Sequence, residues 1–202
     1  MKPEWMKPKG DGWKRVSAER VKFDNPWLTV VEQDAVAPTG KSALYGMVKF
    51  KNLAVGVVPI HADGSVTLVG QHRFVHNDYS WEIPEGGGAL DIDPLESARR
   101  ELAEEAGLAA AEWREVMRFQ LSNSVTNEIG VGYLAWDLSE VPTAPDETEV
   151  IQVARRPFRE ALELALVGHM PDMITIAMLL RAYQMAQEGE LPEALSRAML
   201  RR

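Results

Sequence analysis

The stretch Asp93–Gly107 constrains this chain more than any other, because it carries both boundary signals of a helix. Asp93 is a good N-cap, Pro94 suits the first helical position, and Glu96 stands where a capping box places its acid. Gly107 is a usual residue just past a helix end. Leu95, Ala98, Leu102 and Ala106 fall on one face between these limits, so a helix through Ala106 buries that face. Before it the chain reads as strands. Arg15–Phe23, Trp27–Ala37 and Ser42–Phe50 are rich in β-branched and aromatic residues and are divided by Asp24-Asn25-Pro26 and Pro38-Thr39-Gly40. Ala54–Ile60 and Val66–Gln71 follow, with the tight-turn pair Asp63-Gly64 between them. After the helix come strands at Trp113–Gln120, Glu128–Trp136 and Val150–Ala154, then helices at Pro157–Val167, Asp172–Glu188 and Pro192–Arg202. An all-β lead followed by alternating strands and helices predicts an antiparallel sheet placed before a mixed α/β (α+β) core.

A chain of 202 residues suits one domain with an appendage, or two small ones. The expected division is a flexible arm over 1–14, a β-sheet region over 15–53, and a mixed α/β domain over 54–202. Lys+Arg of 22 against Asp+Glu of 30 leaves a net charge of -8, which argues against nucleic acid as partner. With no cysteine, disulfides, zinc-thiolate sites, iron–sulfur clusters and thiol nucleophiles are excluded. No uncharged apolar run approaches the ~20 residues of a membrane span. Met1–Trp13 lacks the apolar segment of a secretory signal, so a flexible arm and a cytoplasmic location are expected.

The chemistry concentrates in Arg100-Glu101-Leu102-Ala103-Glu104-Glu105. Glu101 and Glu105 are four apart and rise from the same helical face, with Glu104 flanking them; like charges at this spacing destabilise a helix. Divalent cations would offset that repulsion, and oxygen-only ligands suit Mg²⁺ or Mn²⁺. A solvated acidic face beside Arg99 and Arg100 accounts for the charge pattern equally well. Gly40-Lys41-Ser42 imitates the end of a phosphate-binding loop, but position 35 is Ala where that motif needs Gly.

Gly86–Leu108 resembles the Nudix box, written G-x5-E-x7-R-E-U-x-E-E-x-G-U with U a bulky aliphatic. Gly86 opens it, Arg100-Glu101-Leu102 and Glu104-Glu105 fill its centre, and Gly107-Leu108 closes it. One position departs: Ile92 stands where the family has a Glu that pairs with the box arginine, leaving Asp91 or Asp93 as stand-ins. Leu68–Phe74, Tyr79–Gly87, and Asn25-Pro26-Trp27 leading to Tyr45-Gly46 resemble the ADP-ribose and nucleotide-sugar pyrophosphatase branch.

The resemblance implies a Nudix α/β/α sandwich with a mixed sheet, preceded by an N-terminal antiparallel β-sheet. It implies Mg²⁺-dependent hydrolysis of ADP-ribose or a nucleoside diphosphate sugar such as GDP-mannose, yielding a nucleoside monophosphate and a sugar phosphate. Glu101, Glu105 and Glu104 would ligate the metal, with the Glu85 carbonyl and Glu149. Glu147 would be the base, its role interchangeable with Glu149. Arg73, Glu82, Glu128, Trp27 and Tyr45 would meet substrate, and two chains would form a homodimer through the N-terminal sheet. The alternatives are hydrolysis of a dinucleoside polyphosphate or coenzyme A derivative, or a ligand-sensing domain that has lost hydrolysis.

Overall fold

The computed structural model describes residues 2–144, 148 and 150–201. They form two compact units. One holds the chain up to Lys51 together with Gln120–Glu128; the other holds Asn52–Phe119 and the chain from Ile129 onward.

In the first unit, β1 (Lys14–Arg15), β2 (Arg20–Asp24), β3 (Leu28–Val36) and β4 (Ser42–Phe50) make one antiparallel sheet centred on β3. β4 runs the whole length of β3, from Leu28 opposite Phe50 to Val36 opposite Ser42. The strand expected over Arg15–Phe23 is broken in two. The Ser17 hydroxyl accepts the Asp34 N–H at 3.0 Å and the Gln33 amide donates to the Ser17 carbonyl, so side chains replace the ladder there. The turn at Asn25 is held by its side-chain oxygen, which accepts the Trp27 and Leu28 N–H groups at 2.9 and 2.8 Å. The 120–128 segment joins this unit through β4: Val48 N–H donates to the Val125 carbonyl at 2.9 Å, and the Phe50 N–H donates to Asn127 at 2.7 Å.

The second unit contains two sheets. In the first, β8 (Glu85–Ala89), β5 (Asn52–Pro59), β10 (Ile129–Glu140) and β9 (Leu108–Gln120) lie in that order; in the other, β11 (Gln152–Pro157), β6 (Ser65–Arg73) and β7 (Asp78–Glu82) do. β5 pairs parallel with β10 and antiparallel with β8, so the first of these sheets is mixed, whereas β6 pairs antiparallel with both β11 and β7. The helices are α1 (Pro94–Ala106), α2 (Phe158–Leu166), α3 (Met173–Gln187) and α4 (Glu193–Met199).

Strand alternation places helices on both faces of the central sheet. Val55 and Val57 of β5, with Val131, Tyr133 and Ala135 of β10, pack with Ala98, Leu102 and Ala106 of α1. The intervening residues face α3: a Cβ on Gly56 would come 2.8 Å from Ile174, and one on Gly132 would strike Met178. This is the expected α/β/α sandwich, and α2 and α4 pack on α3. Among the described residues no helix is long and apolar enough to cross a membrane.

α1 begins and ends where its boundary signals place it. Asp93 accepts the Leu95 N–H at 3.0 Å, and Gly107 closes the helix with φ 64°. The capping box does not form, because Glu96 turns to Arg99 at 2.7 Å. Two strands were invisible to the sequence pattern: β7, and β8 with its three glycines. Glycine disfavours strands for lack of a packing side chain. Here the space a side chain would take is already filled by neighbouring side chains. A Cβ on Gly86, Gly87 or Gly88 would collide with Glu101, Asn52 or Ser97 respectively.

Candidate active site

The site is built where β6, β7, β8 and α1 meet. Along β6, Val69, Gln71 and Arg73 share one face. Val69 belongs to the α1 core, so Arg73 emerges at the edge of that core. The register sets Glu82 of β7 opposite Val69. Arg73 Nε donates to both Glu82 oxygens, at 3.1 and 3.0 Å, and Nη2 donates to Glu82 and to Glu85 Oε1, the latter at 3.1 Å. The Glu82 side chain is only 4% exposed. Burial opposes the Arg73 charge, but the bonds to Glu82 and the fields of Glu82, Glu85 and Glu105 outweigh it and hold the guanidinium above its usual range.

α1 contributes the central acids. Glu101 and Glu105 are 8% and 4% exposed, so they do not form a solvated acidic face. Glu105 accepts the Glu85 N–H at 2.9 Å, tying the helix to the first residue of β8. Arg100 donates to Glu101 at 2.7 Å, to Glu104 at 2.7 Å, and to the Gly87 carbonyl at 2.8 Å. Neither Asp91 nor Asp93 stands in for the Glu replaced by Ile92. Asp93 is committed to the helix cap, and Arg100 reaches the loop through its backbone instead.

α3 supplies a part that sequence reasoning missed. Asp172 caps α3 by accepting the Thr175 N–H at 2.6 Å, and the fully buried Thr175 hydroxyl accepts the Ile83 N–H at 3.0 Å. The first turn of α3 thereby grips the segment that carries Glu85. The Asp172-x-x-Thr175 spacing at the start of an apolar helix was the available signal. Burial first, then the Asp172 and Glu82 charges, push the Glu85 carboxyl well above the ordinary carboxylate range, against the pull of Arg73. Glu85 Oε2 is buried without a hydrogen-bond partner among the described residues.

Arg73, Glu82, Glu85, Glu101, Glu104 and Glu105 are therefore all placed in the second unit around one loop. Trp27, Tyr45 and Glu128 belong to the first unit. There Trp27 is 66% exposed, and the Tyr45 hydroxyl donates to the Ser124 carbonyl at 2.6 Å while its ring meets Trp13 edge-on at 5.2 Å. Burial raises the Glu128 carboxyl above its usual range. Glu147 and Glu149 lie outside the described residues.

The donor set fits a hard divalent cation in its chemistry: every candidate ligand is an oxygen, and one buried carboxylate oxygen has no partner among the described residues. Among the described residues no three acidic or histidine side chains already converge as ligands. The bonds above explain this, since Arg100, the Glu85 N–H and Arg73 each hold one of the glutamates.

The NUDIX domain family model matches residues 50–175. An ADP-ribose pyrophosphatase of Mycobacterium tuberculosis is 31% identical over 147 residues, covering 70% of this chain and 70% of its own length. A CMP-5'-(N-acetyl-N-hydroxy-3-aminopropyl)phosphonate hydrolase of Streptomyces rubellomurinus is 31% identical over 153 residues, 74% of this chain and 72% of its own. The crystal structure of an ADP compounds hydrolase superposes with a TM-score of 0.80 over 92% of this chain and 100% of that one, at 19% identity, which is a likeness of fold. The chain belongs to the NUDIX family, in its pyrophosphohydrolase branch.

Proposed function

We propose that this enzyme hydrolyses the pyrophosphate bond of ADP-ribose, or of a closely similar nucleoside diphosphate sugar, to a nucleoside monophosphate and a sugar phosphate, with Mg²⁺ as cofactor. The observation that carries this reading is the buried acidic cluster. Five carboxylates, from Glu82, Glu85, Glu101, Glu104 and Glu105, stand against the two guanidinium groups of Arg73 and Arg100, and Glu82, Glu101 and Glu105 among them are buried. Buried carboxylates are expensive unless paired, and this excess calls for added positive charge. Glu101, Glu104, Glu105 and the Glu85 carbonyl would hold the cation. When bound, Mg²⁺ offsets the charge of the pyrophosphate and lowers the pKa of the attacking water. The name of the 31%-identical Mycobacterium tuberculosis relative supports ADP-ribose as the first substrate to test.

The chain's own residues have separable tasks in this reading. Arg100 orients Glu101 and ties it to the Gly87 carbonyl. The Glu85 N–H orients Glu105. Arg73 is 37% exposed and would meet a phosphate from its Nη1 side, because Nε and Nη2 are held by Glu82 and Glu85. Glu147 is assigned as base, with Glu149 as its alternate. A homodimer through the first unit's sheet belongs to the same reading, supported by the exposed Val21, Phe23, Trp27 and Leu44. Sedimentation velocity should show a dimer, and a monomer at micromolar concentration would remove that part.

The deciding experiment is a phosphate-release screen over ADP-ribose, GDP-mannose, UDP-glucose, a CMP-linked phosphonate and a dinucleoside polyphosphate, with Mg²⁺ and a coupled phosphatase. ADP-ribose should give the highest kcat/KM, and a chelator should abolish turnover. Preference for a dinucleoside polyphosphate would sink the sugar-nucleotide reading.

A further inference from the structure

Gln71 is a buried amide on the strand that carries Arg73. It lies on β6 between Val69, which belongs to the α1 core, and Arg73, which belongs to the acidic cluster. Side chains two apart on a strand share a face, so Gln71 is aimed at the same site as Arg73. It is 8% exposed, its register partner Ser80 is equally buried, and its side-chain nitrogen finds no hydrogen-bond partner among the described residues. Buried polar groups in native proteins are paired in the great majority of cases, and an unpaired one calls for an explanation. The nearby acids do not supply a partner, since Glu82 is turned to Arg73 and Glu105 to the Glu85 N–H.

We infer that Gln71 is a substrate-binding residue: its amide N–H₂ donates to a non-bridging oxygen of the bound pyrophosphate, next to Arg73. This rests on the pyrophosphatase reading above. The chemistry is specific. A neutral donor can be kept dry in an acid-rich site without drawing an ion pair, whereas a second guanidinium there would be captured by the glutamates as Arg73 is. An anionic oxygen arriving with the substrate completes the amide and strengthens the bond, because its acceptor is charged.

The test separates ligand contact from packing. Gln71→Leu and Gln71→Met keep the volume and remove the donor, and Gln71→Glu replaces the donor with an anion. Each is titrated calorimetrically, with Mg²⁺ saturating, against inorganic pyrophosphate and against ADP-ribose carrying a methylene in place of its bridging oxygen. Both apolar variants should melt at or above the wild-type temperature without ligand, because an unpaired buried donor is gone. Both should bind pyrophosphate about 10- to 100-fold more weakly, and Gln71→Glu more weakly still. Wild-type affinity in the apolar variants would overturn the inference. So would a fall in ligand-free melting temperature in both of them, since the amide would then be structural. A wild-type protein that takes pyrophosphate but not the ADP-ribose analogue would overturn the ADP-ribose reading instead, and the Gln71 comparison would still be decided on pyrophosphate.

Discussion

Glu105→Gln should lower kcat by on the order of 10³-fold while leaving the melting temperature unchanged or slightly raised. Glu105 is 4% exposed and accepts the Glu85 N–H at 2.9 Å. Glutamine keeps the shape and still offers a carbonyl oxygen to that N–H, so β8 stays tied to α1. Only the negative charge is lost. That charge repels Glu101 along the helix and is the part a cation would use. Removing it relieves the repulsion with Glu101 but also weakens the field on Arg73, so the free protein changes little, while the hold on the metal is lost in the working one. Steady-state kinetics at saturating Mg²⁺, with a thermal melt alongside, read both effects. Activity within about tenfold of wild type would show that the helical carboxylates do not carry the reaction. A wild-type protein that binds ADP-ribose without turnover, and binds equally well as Glu105→Gln, would mark a sensing domain.

Gly86→Ala should reduce kcat by about 10²-fold with little change in stability. A methyl group there would sit 2.5 Å from Glu101 Oε2 and closer still to Oε1 and Cδ. The obstructing atoms are the far end of a flexible side chain, so the backbone need not move and the carboxylate swings aside. Glu101 is held in place by Arg100, which also reaches the Gly87 carbonyl, so the displacement unlatches the loop as well. The Ala variant should therefore resemble Glu101→Gln kinetically and the wild type in urea unfolding. A loss of more than about 3 kcal/mol in stability would place the role of Gly86 in the fold rather than in the site.

The parts of this enzyme that could be read from the chain are local ones. Asp93, Pro94 and Gly107 mark the ends of α1 through bonds that span at most a few residues, and the apolar spacing from Leu95 to Ala106 identifies its buried face. The arrangement of Glu101, Glu104 and Glu105 follows from helical periodicity alone. The broken first strand was not legible, because the break depends on Ser17 meeting Asp34, a partner on another strand. Strand β8 was hidden for a similar reason. Three glycines look like a loop until Glu101, Asn52 and Ser97 are seen occupying the space their side chains would need.

The sequence by itself determined the alternation of elements, the family and the order of carboxylates along α1, because these rest on caps, periodicity and spacing within one segment. Only the tertiary structure decided which cation each carboxylate faces. The pairing of β6 with β7 brings Arg73 to Glu82, and the seating of α1 against β8 brings Glu105 to the Glu85 N–H. It also decided that Arg100 latches onto a backbone carbonyl, that Thr175 holds Ile83, and that the Gln71 side-chain nitrogen is buried with no partner among the described residues. Each depends on register between strands or on helix docking across many residues of chain, where a shift of one residue would turn the side chain to the other face.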